Sequence, residues 1–158
     1  VSFDASDVLE FAIRIEENGA AFYLSAMRIA DSEEVKQTFA RLADEEMNHK
    51  KVFGRILASF GENTPPESYP GEYGVYLRNY IDNTAIFVNE LLDTELRLVN
   101  NTPSALDFAL RREQDSILYY HEIKRIVPAR QHAAVELIIE EERRHFSILS
   151  ELKKRVQK

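Results

Sequence analysis

The chain contains no cysteine. That absence removes disulfides, thiolate zinc sites and iron–sulfur clusters together, so any metal must be held by carboxylate and imidazole. Glycine and proline are scarce, five of each in 158 residues, which argues against an all-β or disordered chain and suits a helix-rich one. No apolar run approaches the roughly 18 residues of a membrane span, and no membrane partner is expected. The first ten residues carry Asp4, Asp7 and Glu10 but no base, the opposite of a secretory signal, so a cytoplasmic location is expected. An excess of positive charge is also missing. The net charge of -7 makes nucleic acid an unexpected partner, because phosphate backbones reward clustered Lys and Arg. The basic pairs Lys50 and Lys51, Arg111 and Arg112, and Arg143 and Arg144 read as solvated helix surface.

What is present is apolar periodicity in steps of three and four, repeated in four segments. The stripes run Leu9, Ala12, Glu16, Ala20, Tyr23, Met27, Ala30; then Val35, Phe39, Leu42, Glu46, His49, Phe53, Ile56, Phe60; then Leu106, Ala109, Glu113, Ser116, Tyr120, Ile123, Val127; and last Val135, Ile138, Glu142, His145, Leu149, Leu152, Val156. Each is apolar except near its middle. Ser6 is expected to cap the first helix and Ser32 the second; Thr102 with Pro103 starts the third and Pro128 opens the fourth. The turns near Ala30 to Ser32 and near Val127 to Pro128 are short, which makes two antiparallel hairpins. Between them, Gly61 to Gly74 reads as irregular loop and Ile81 to Val99 as an extra amphipathic helix. The expected fold is all-α: a four-helix bundle of two hairpins, 6–60 and 103–156, joined by a long crossover, 61–102, within one domain, 1–158.

The two hairpins repeat each other. Glu16, Gly19, Phe22 and Tyr23 match Glu113, Ser116, Tyr119 and Tyr120, while Glu45, Glu46 and His49 match Glu141, Glu142 and His145. Glu16 and Glu46 are equidistant from Asp31, and Glu113 and Glu142 are equidistant from the 127–128 junction, so each lone Glu sits level with a Glu-x-x-His pair. Three residues along a helix place Glu46 and His49 about 60° apart and roughly 4.5 Å along the axis, and the same holds for Glu142 and His145. Four buried carboxylates would take up protons unless cations balanced them. Two divalent ions held by Glu16, Glu46, His49, Glu113, Glu142 and His145 supply that balance. Oxygen with one imidazole per metal suits iron, with manganese or zinc possible, and di-iron bundles use this arrangement of side chains. Glu45 and Glu141 leave the stripe and are expected behind the ligands or at the surface. Tyr23 and Tyr120 lie on the ligand face, as core aromatics whose hydroxyls need partners and as tuners of the ligand carboxylates. His121 and His132 fall off the stripes and are expected at the surface.

Glu16-x-x-Gly19-x-x-Phe22-Tyr23, the run Leu42-Ala43-Asp44-Glu45-Glu46 ending at His49, Glu113-x-x-Ser116-x-x-Tyr119-Tyr120 and Glu142-x-x-His145 resemble the di-iron domain of the rubrerythrins, in the ferritin-like superfamily. The resemblance implies that Glu46 and Glu142 bridge two irons, with Glu16 and Glu113 terminal. It further implies a non-haem di-iron oxidoreductase that reduces hydrogen peroxide, with electrons from a separate donor protein because this chain has no rubredoxin domain. The alternatives are a ferroxidase or iron-handling protein that uses oxygen, and a metal-free helical interaction module. Ser116 stands where a typical rubrerythrin has a further Glu, which brings the ligand set closer to that of bacterioferritin. Met47 falls where bacterioferritin places a haem ligand, but haem is not expected. A homodimer is the expected assembly.

Overall fold

The computed structural model describes residues 4–63, 71–83 and 96–157. Five α-helices account for most of them: α1 (Ala5–Ile29), α2 (Glu33–Asn63), α3 (Glu72–Asn83), α4 (Thr102–Ile126) and α5 (His132–Val156). None of the described helices is long and apolar enough to cross a membrane.

The four stripes form the four bundle helices, and their buried faces give the bundle its layers. One apolar cluster joins Val8, Leu9, Ala12 and Ile15 of α1 to Phe53 and Ile56, Tyr119 to Val127, and Val135 to Ile139. A second joins Phe22, Tyr23 and Ala26 of α1 and Ala30 just after it to Val35, Phe39 and Leu42, Ala105 to Ala109, and Leu149 and Leu152. Between the two lies the polar layer. Each fully buried Leu, Ile or Phe in these clusters contributes about 1.5–3 kcal/mol relative to exposure, and the apolar material on both sides keeps the middle dry.

Every neighbouring pair of bundle helices is antiparallel. Within hairpins the short turns require it; between them, Tyr119 reaches Val8 and Thr102 reaches Asp31 along α4 and α1, while Glu34 pairs with Arg155 and Glu45 with Arg144 along α2 and α5. Diagonal α2 and α4 are therefore parallel, and the chain must travel the length of the bundle, about 35 Å, to join them. That is the geometric reason for the long crossover.

The helix ends differ from the expected ones. Asp4, not Ser6, caps α1: its Oδ1 accepts from the Asp7 N–H at 3.0 Å, and the Asp7 carboxylate accepts from the Asp4 N–H at 2.9 Å. Asp is as good a cap as Ser, and here the reciprocal pair decides. Ser32 does cap α2, with Oγ accepting from Val35 N at 3.3 Å. Asn101 and Ser104 form the capping box of α4, which leaves Thr102 inside the helix, where its buried Oγ1 accepts from Asp31 N at 3.2 Å and ties the first turn to the start of the second hairpin. Pro128 opens a single 3-10 turn, Ala129–Gln131, and α5 begins only at His132.

The crossover also departs from expectation. Residues 61–63 continue α2, and 72–74 already belong to α3, so the irregular segment is shorter than expected at both ends. Gly71 takes φ 80, a left-handed value natural to glycine, and its carbonyl accepts from Val75 N at 3.1 Å to start α3. Tyr73, Leu77, Tyr80 and Ile81 make a helical stripe, and Leu77 and Ile81 join the first apolar cluster. Tyr73 and Tyr80 donate to Glu122 and to the Asp115 carbonyl, which lays α3 antiparallel along α4. The density of Gly and Pro before Gly74 hid this stripe. Of the helix expected over Ile81 to Val99, Ile81 ends up in α3, and 84–95 lies outside the described residues.

Asn101→Ala removes the side-chain acceptor for Ser104 N and is expected to lower the stability of the metal-free protein by about 1 kcal/mol, read from urea unfolding; an unchanged midpoint would mean that the box does not hold the helix end.

Candidate metal centre

All six sequence-selected residues reach the polar layer and are buried: Glu16 on α1, Glu46 and His49 on α2, Glu113 on α4, Glu142 and His145 on α5. They form two quartets, Glu16, Glu46, His49 and Glu142, and Glu46, Glu113, Glu142 and His145. Within each quartet the ligand-type atoms lie within 4.8 Å of one another, and Glu46 and Glu142 belong to both.

Both imidazoles face the carboxylates through the same nitrogen. His49 Nδ1 lies 2.9 Å from Glu142 Oε1 and 3.5 Å from Glu16 Oε1, while His145 Nδ1 lies 3.2 Å from Glu142 Oε2 and 3.6 Å from Glu113 Oε1. Each ring's far nitrogen, Nε2, meets a carboxylate from the other hairpin: Glu141 at 2.5 Å for His49, and Glu45 for His145. When the imidazole is neutral, an Nε2–H donated to Glu141 or Glu45 leaves Nδ1 as the lone-pair nitrogen toward the quartet, which fixes both tautomer and ring orientation. Glu45 and Glu141 are partly exposed and stand behind the histidines. The tyrosines cross in the same way. Tyr23 donates to Glu113 Oε1 at 2.5 Å, and Tyr120 donates to Glu16 Oε1.

The chemistry of the layer tests whether a cation fits. Glu16 Oε2, Glu46 Oε1, Glu113 Oε2, Glu142 Oε2 and His145 Nδ1 are buried without a hydrogen-bonding partner. One oxygen from each of four carboxylates and one imidazole nitrogen are thus unsatisfied in a dry interior, where such groups are rare. Oxygen and imidazole donors clustered in this way fit first-row divalent cations.

Without a metal, protons do the balancing. Burial, with Glu46 and Glu142 nearby, pushes Glu16 well above the usual carboxylate range. Burial and Glu113 raise Glu46, and burial and Glu142 lift Glu113 to about 7. Glu142 goes the other way: burial and Glu46 push it up, but the neighbouring Glu113, His145 and His49 outweigh them and hold it at about 2. Burial pulls the histidines down, yet the hydrogen bond to Glu142 lifts His49 to about 9, and the nearby carboxylates of Glu113 and Glu142 lift His145 to about 11. Tyr23 and Tyr120 are raised by burial and by the adjacent carboxylates, so both remain donors.

One residue of the layer was misplaced by sequence reasoning. Arg112 is not surface: it is 3% exposed, donates to the Ile15 carbonyl at 2.9 Å, and brings Nη1 to 3.6 Å from Glu46 Oε1. It fits because Gly19 has no side chain; a Cβ there would fall on the guanidinium. A glycine in the middle of an otherwise strong helix, at a position facing α4, was the available signal, since glycine in a helix interior costs about 1 kcal/mol without a compensating reason. The other pairs are surface or nearly so, with Lys50 bound to Glu17 at 2.8 Å and Arg144 to Glu45 at 3.3 Å. His121 is exposed, but His132 is half-buried, with Nε2 3.1 Å from the Val127 carbonyl, because it sits in the turn that ends the 3-10 segment. Ser116 is buried and donates to the Arg112 carbonyl at 2.9 Å, and Met47 is exposed.

The pH dependence of stability follows from these shifts. Glu16, Glu46 and Glu113 have raised values, so their contribution is present below the usual carboxylate range and is lost as pH rises through the folded values, about 7 for Glu113. The histidines stabilise fully below 6.5 and lose that contribution as pH rises through about 9 and about 11. Glu142 stabilises above the carboxylate range and loses its contribution only in strong acid. The metal-free protein is therefore expected to melt at falling temperature between about pH 6 and pH 9, while the gain from added divalent metal grows over the same window because the cation replaces these protons. Thermal scans with and without metal check both slopes.

Known proteins resemble this chain in sequence and in fold. The family model described as Rubrerythrin matches residues 7–96. No curated protein matches the chain significantly. Among solved structures, the chain is similar to a candidate ferritin-like diiron-carboxylate protein from Thermotoga maritima, with 28% sequence identity, a TM-score of 0.67, and coverage of 97% of this chain and 96% of that one. A buried carboxylate and imidazole cluster in such a helical bundle suits a di-iron protein. With more than half its length matched by the family's model, the chain belongs to the rubrerythrin family.

Proposed function

We propose that this chain holds two iron ions in the polar layer and with them reduces hydrogen peroxide to water, drawing its electrons from a separate protein. The observation that carries the reading is the pair of quartets that share Glu46 and Glu142. Glu16 and His49 would complete one iron's protein ligands, and Glu113 and His145 the other's. Two ferrous ions, when bound, supply one electron each, the two that cleavage of the peroxide O–O bond requires as two protons convert its oxygens to water.

The chain's own groups prepare that site. His49 and His145 present Nδ1 while Glu141 and Glu45 hold Nε2–H. Tyr23 and Tyr120 donate to Oε1 of Glu113 and Glu16, which orients each carboxylate and leaves Oε2 without a protein partner. The apolar clusters on either side exclude bulk water, which strengthens every electrostatic interaction in the layer. With no cysteine, this chain offers no thiolate redox centre of its own, and a donor protein fills that role.

A ferroxidase that uses oxygen is the second reading. It draws on Ser116, whose hydroxyl turns to its own helix carbonyl at 2.9 Å where a fifth carboxyl ligand would otherwise stand. Loading with Fe(II) under anaerobic conditions separates the two. Two irons per chain with oxidation much faster by peroxide than by oxygen is the expected result; the opposite preference favours the ferroxidase. Replacing Glu46 and His49 together with Ala should abolish iron uptake. Unchanged metal content and melting temperature in that variant would sink both readings and leave a metal-free interaction module.

A further inference from the structure

Five of the chain's seven tyrosines form one string of ring contacts from the carboxylate layer to the surface. Tyr120, fully buried, donates to Glu16. Its ring centroid lies 6.3 Å from that of Tyr119, which stacks on Tyr80 at 5.8 Å with the planes 13° apart. Tyr80 lies 6.3 Å from Tyr76, and Tyr76 stacks on Tyr73 at 6.4 Å. Exposure rises from buried Tyr119 through half-buried Tyr80 to Tyr76, which is 44% exposed, and Tyr73 beyond it is half-buried. Tryptophan and cysteine are absent, so tyrosine is the side chain here that most readily yields a single electron.

The repeat supplies an internal control. Tyr23 stands to Glu113 as Tyr120 stands to Glu16, but the counterpart of Tyr119 is Phe22. The rings around Tyr23 are Phe22 at 5.4 Å and Phe39 at 5.7 Å, with Phe108 beyond, 4.7 Å from Phe22. Phenylalanine gives up an electron far less readily than a phenol. Both hairpins pack aromatic rings beside the cluster, so filling space does not require a hydroxyl; only the hairpin that meets α3 continues in tyrosine.

The hydroxyl partners are graded as well. The end members Tyr120 and Tyr73 donate to carboxylates, Glu16 and, at 2.7 Å, Glu122. The interior members Tyr119 and Tyr80 donate to the carbonyls of Val8 at 2.9 Å and Asp115 at 2.7 Å. A carboxylate accepts the proton that a phenol sheds on oxidation, whereas an amide carbonyl does not. The ends of the string can hold a neutral radical, while Tyr119 and Tyr80 keep their protons and pass only the electron vacancy, as short-lived radical cations.

We infer that Tyr120, Tyr119, Tyr80, Tyr76 and Tyr73 form a one-electron path that drains an unmet oxidising equivalent from the metal layer to the α3 surface, where a thiol-class reductant refills it; this rests on the peroxide reading above. Reduction of one peroxide to two waters takes two electrons and two protons. When iron supplies only one electron, Tyr120 supplies the other, its O–H bond breaks, and the proton passes to Glu16 Oε1. Electrons then step inward one ring at a time, Tyr119 to Tyr120, Tyr80 to Tyr119, Tyr76 to Tyr80 and Tyr73 to Tyr76, so the electron vacancy moves outward to Tyr73. Glu16 returns its proton when Tyr120 is refilled, and Glu122 takes that of Tyr73. A thiol at the surface gives one electron and releases its own proton to water, while Glu122 returns its proton and restores the phenol. Oxidising a phenol needs a strong oxidant, so the string stays idle toward a mild donor and conducts only when the layer is short of an electron.

Tyr119→Phe is the test, because Phe22 already occupies the matching place in the other hairpin; Tyr80→Phe, on a half-buried ring, gives a second break if the first variant does not fold. Protein loaded with one ferrous ion per chain is mixed with peroxide and a nitroso spin trap, with radicals followed by freeze-quench electron paramagnetic resonance and trapped tyrosines located by mass spectrometry. The natural sequence is expected to carry adducts on Tyr76 and Tyr73, and the variant to lose them while a buried radical persists longer. Equal adducts in both proteins, or none in the natural sequence although its iron is oxidised, would overturn the path. If peroxide leaves the iron ferrous, the peroxide reading falls separately, and the same pair compared with oxygen as oxidant decides the path by the same two outcomes.

Discussion

Carboxylates do not stay ionised in a dry interior unless something positive sits among them, and this bundle packs four into one layer with apolar clusters on both sides. Most other features of the layer answer that constraint. Glu16, Glu46 and Glu113 hold protons longer than exposed carboxyls do, the two histidines hold theirs into alkaline pH, and Arg112 contributes a permanent charge beside Glu46. The remaining demand is met by a divalent cation or by protons, which makes the layer an exchange site between the two.

The layer is nearly two-fold in its connections. Tyr23 and Tyr120, and Glu141 and Glu45, cross between hairpins in matching fashion. The departures are local. Arg112, whose counterpart is Ile15, reaches across to the Ile15 carbonyl through the gap left by Gly19, where the second hairpin has Ser116. Tyr119 replaces Phe22 where the bundle meets α3. Two similar half-sites thus have unlike surroundings, one with a fixed positive charge beside a shared carboxylate and one with a tyrosine path leading away.

The stripes were legible in the sequence because burial on a helix imposes a period that only a few residue types can satisfy. They located the bundle helices and the six residues that the structure gathers into the layer. Helix ends were less legible: Asp4 and Asn101 compete with Ser6 and Thr102 on equal chemistry, and only the partners Asp7 and Ser104 decide. α3 escaped because Gly71 and Gly74 outweighed Tyr73, Leu77 and Ile81 in a short window. Arg112 escaped because its neighbour Arg111 made an ordinary surface pair, and the gap that receives it lies 93 residues earlier in the chain at Gly19.

Neither quartet belongs to one hairpin. The first takes Glu142 from α5 and the second takes Glu46 from α2, and each histidine leans on a carboxylate from the opposite half. A metal in this layer therefore acts as a rivet through both hairpins. Any motion that parts them dismantles the two half-sites at the same instant, so metal release and hairpin separation are one event, and a bundle that keeps its metals cannot breathe along the seam between its halves.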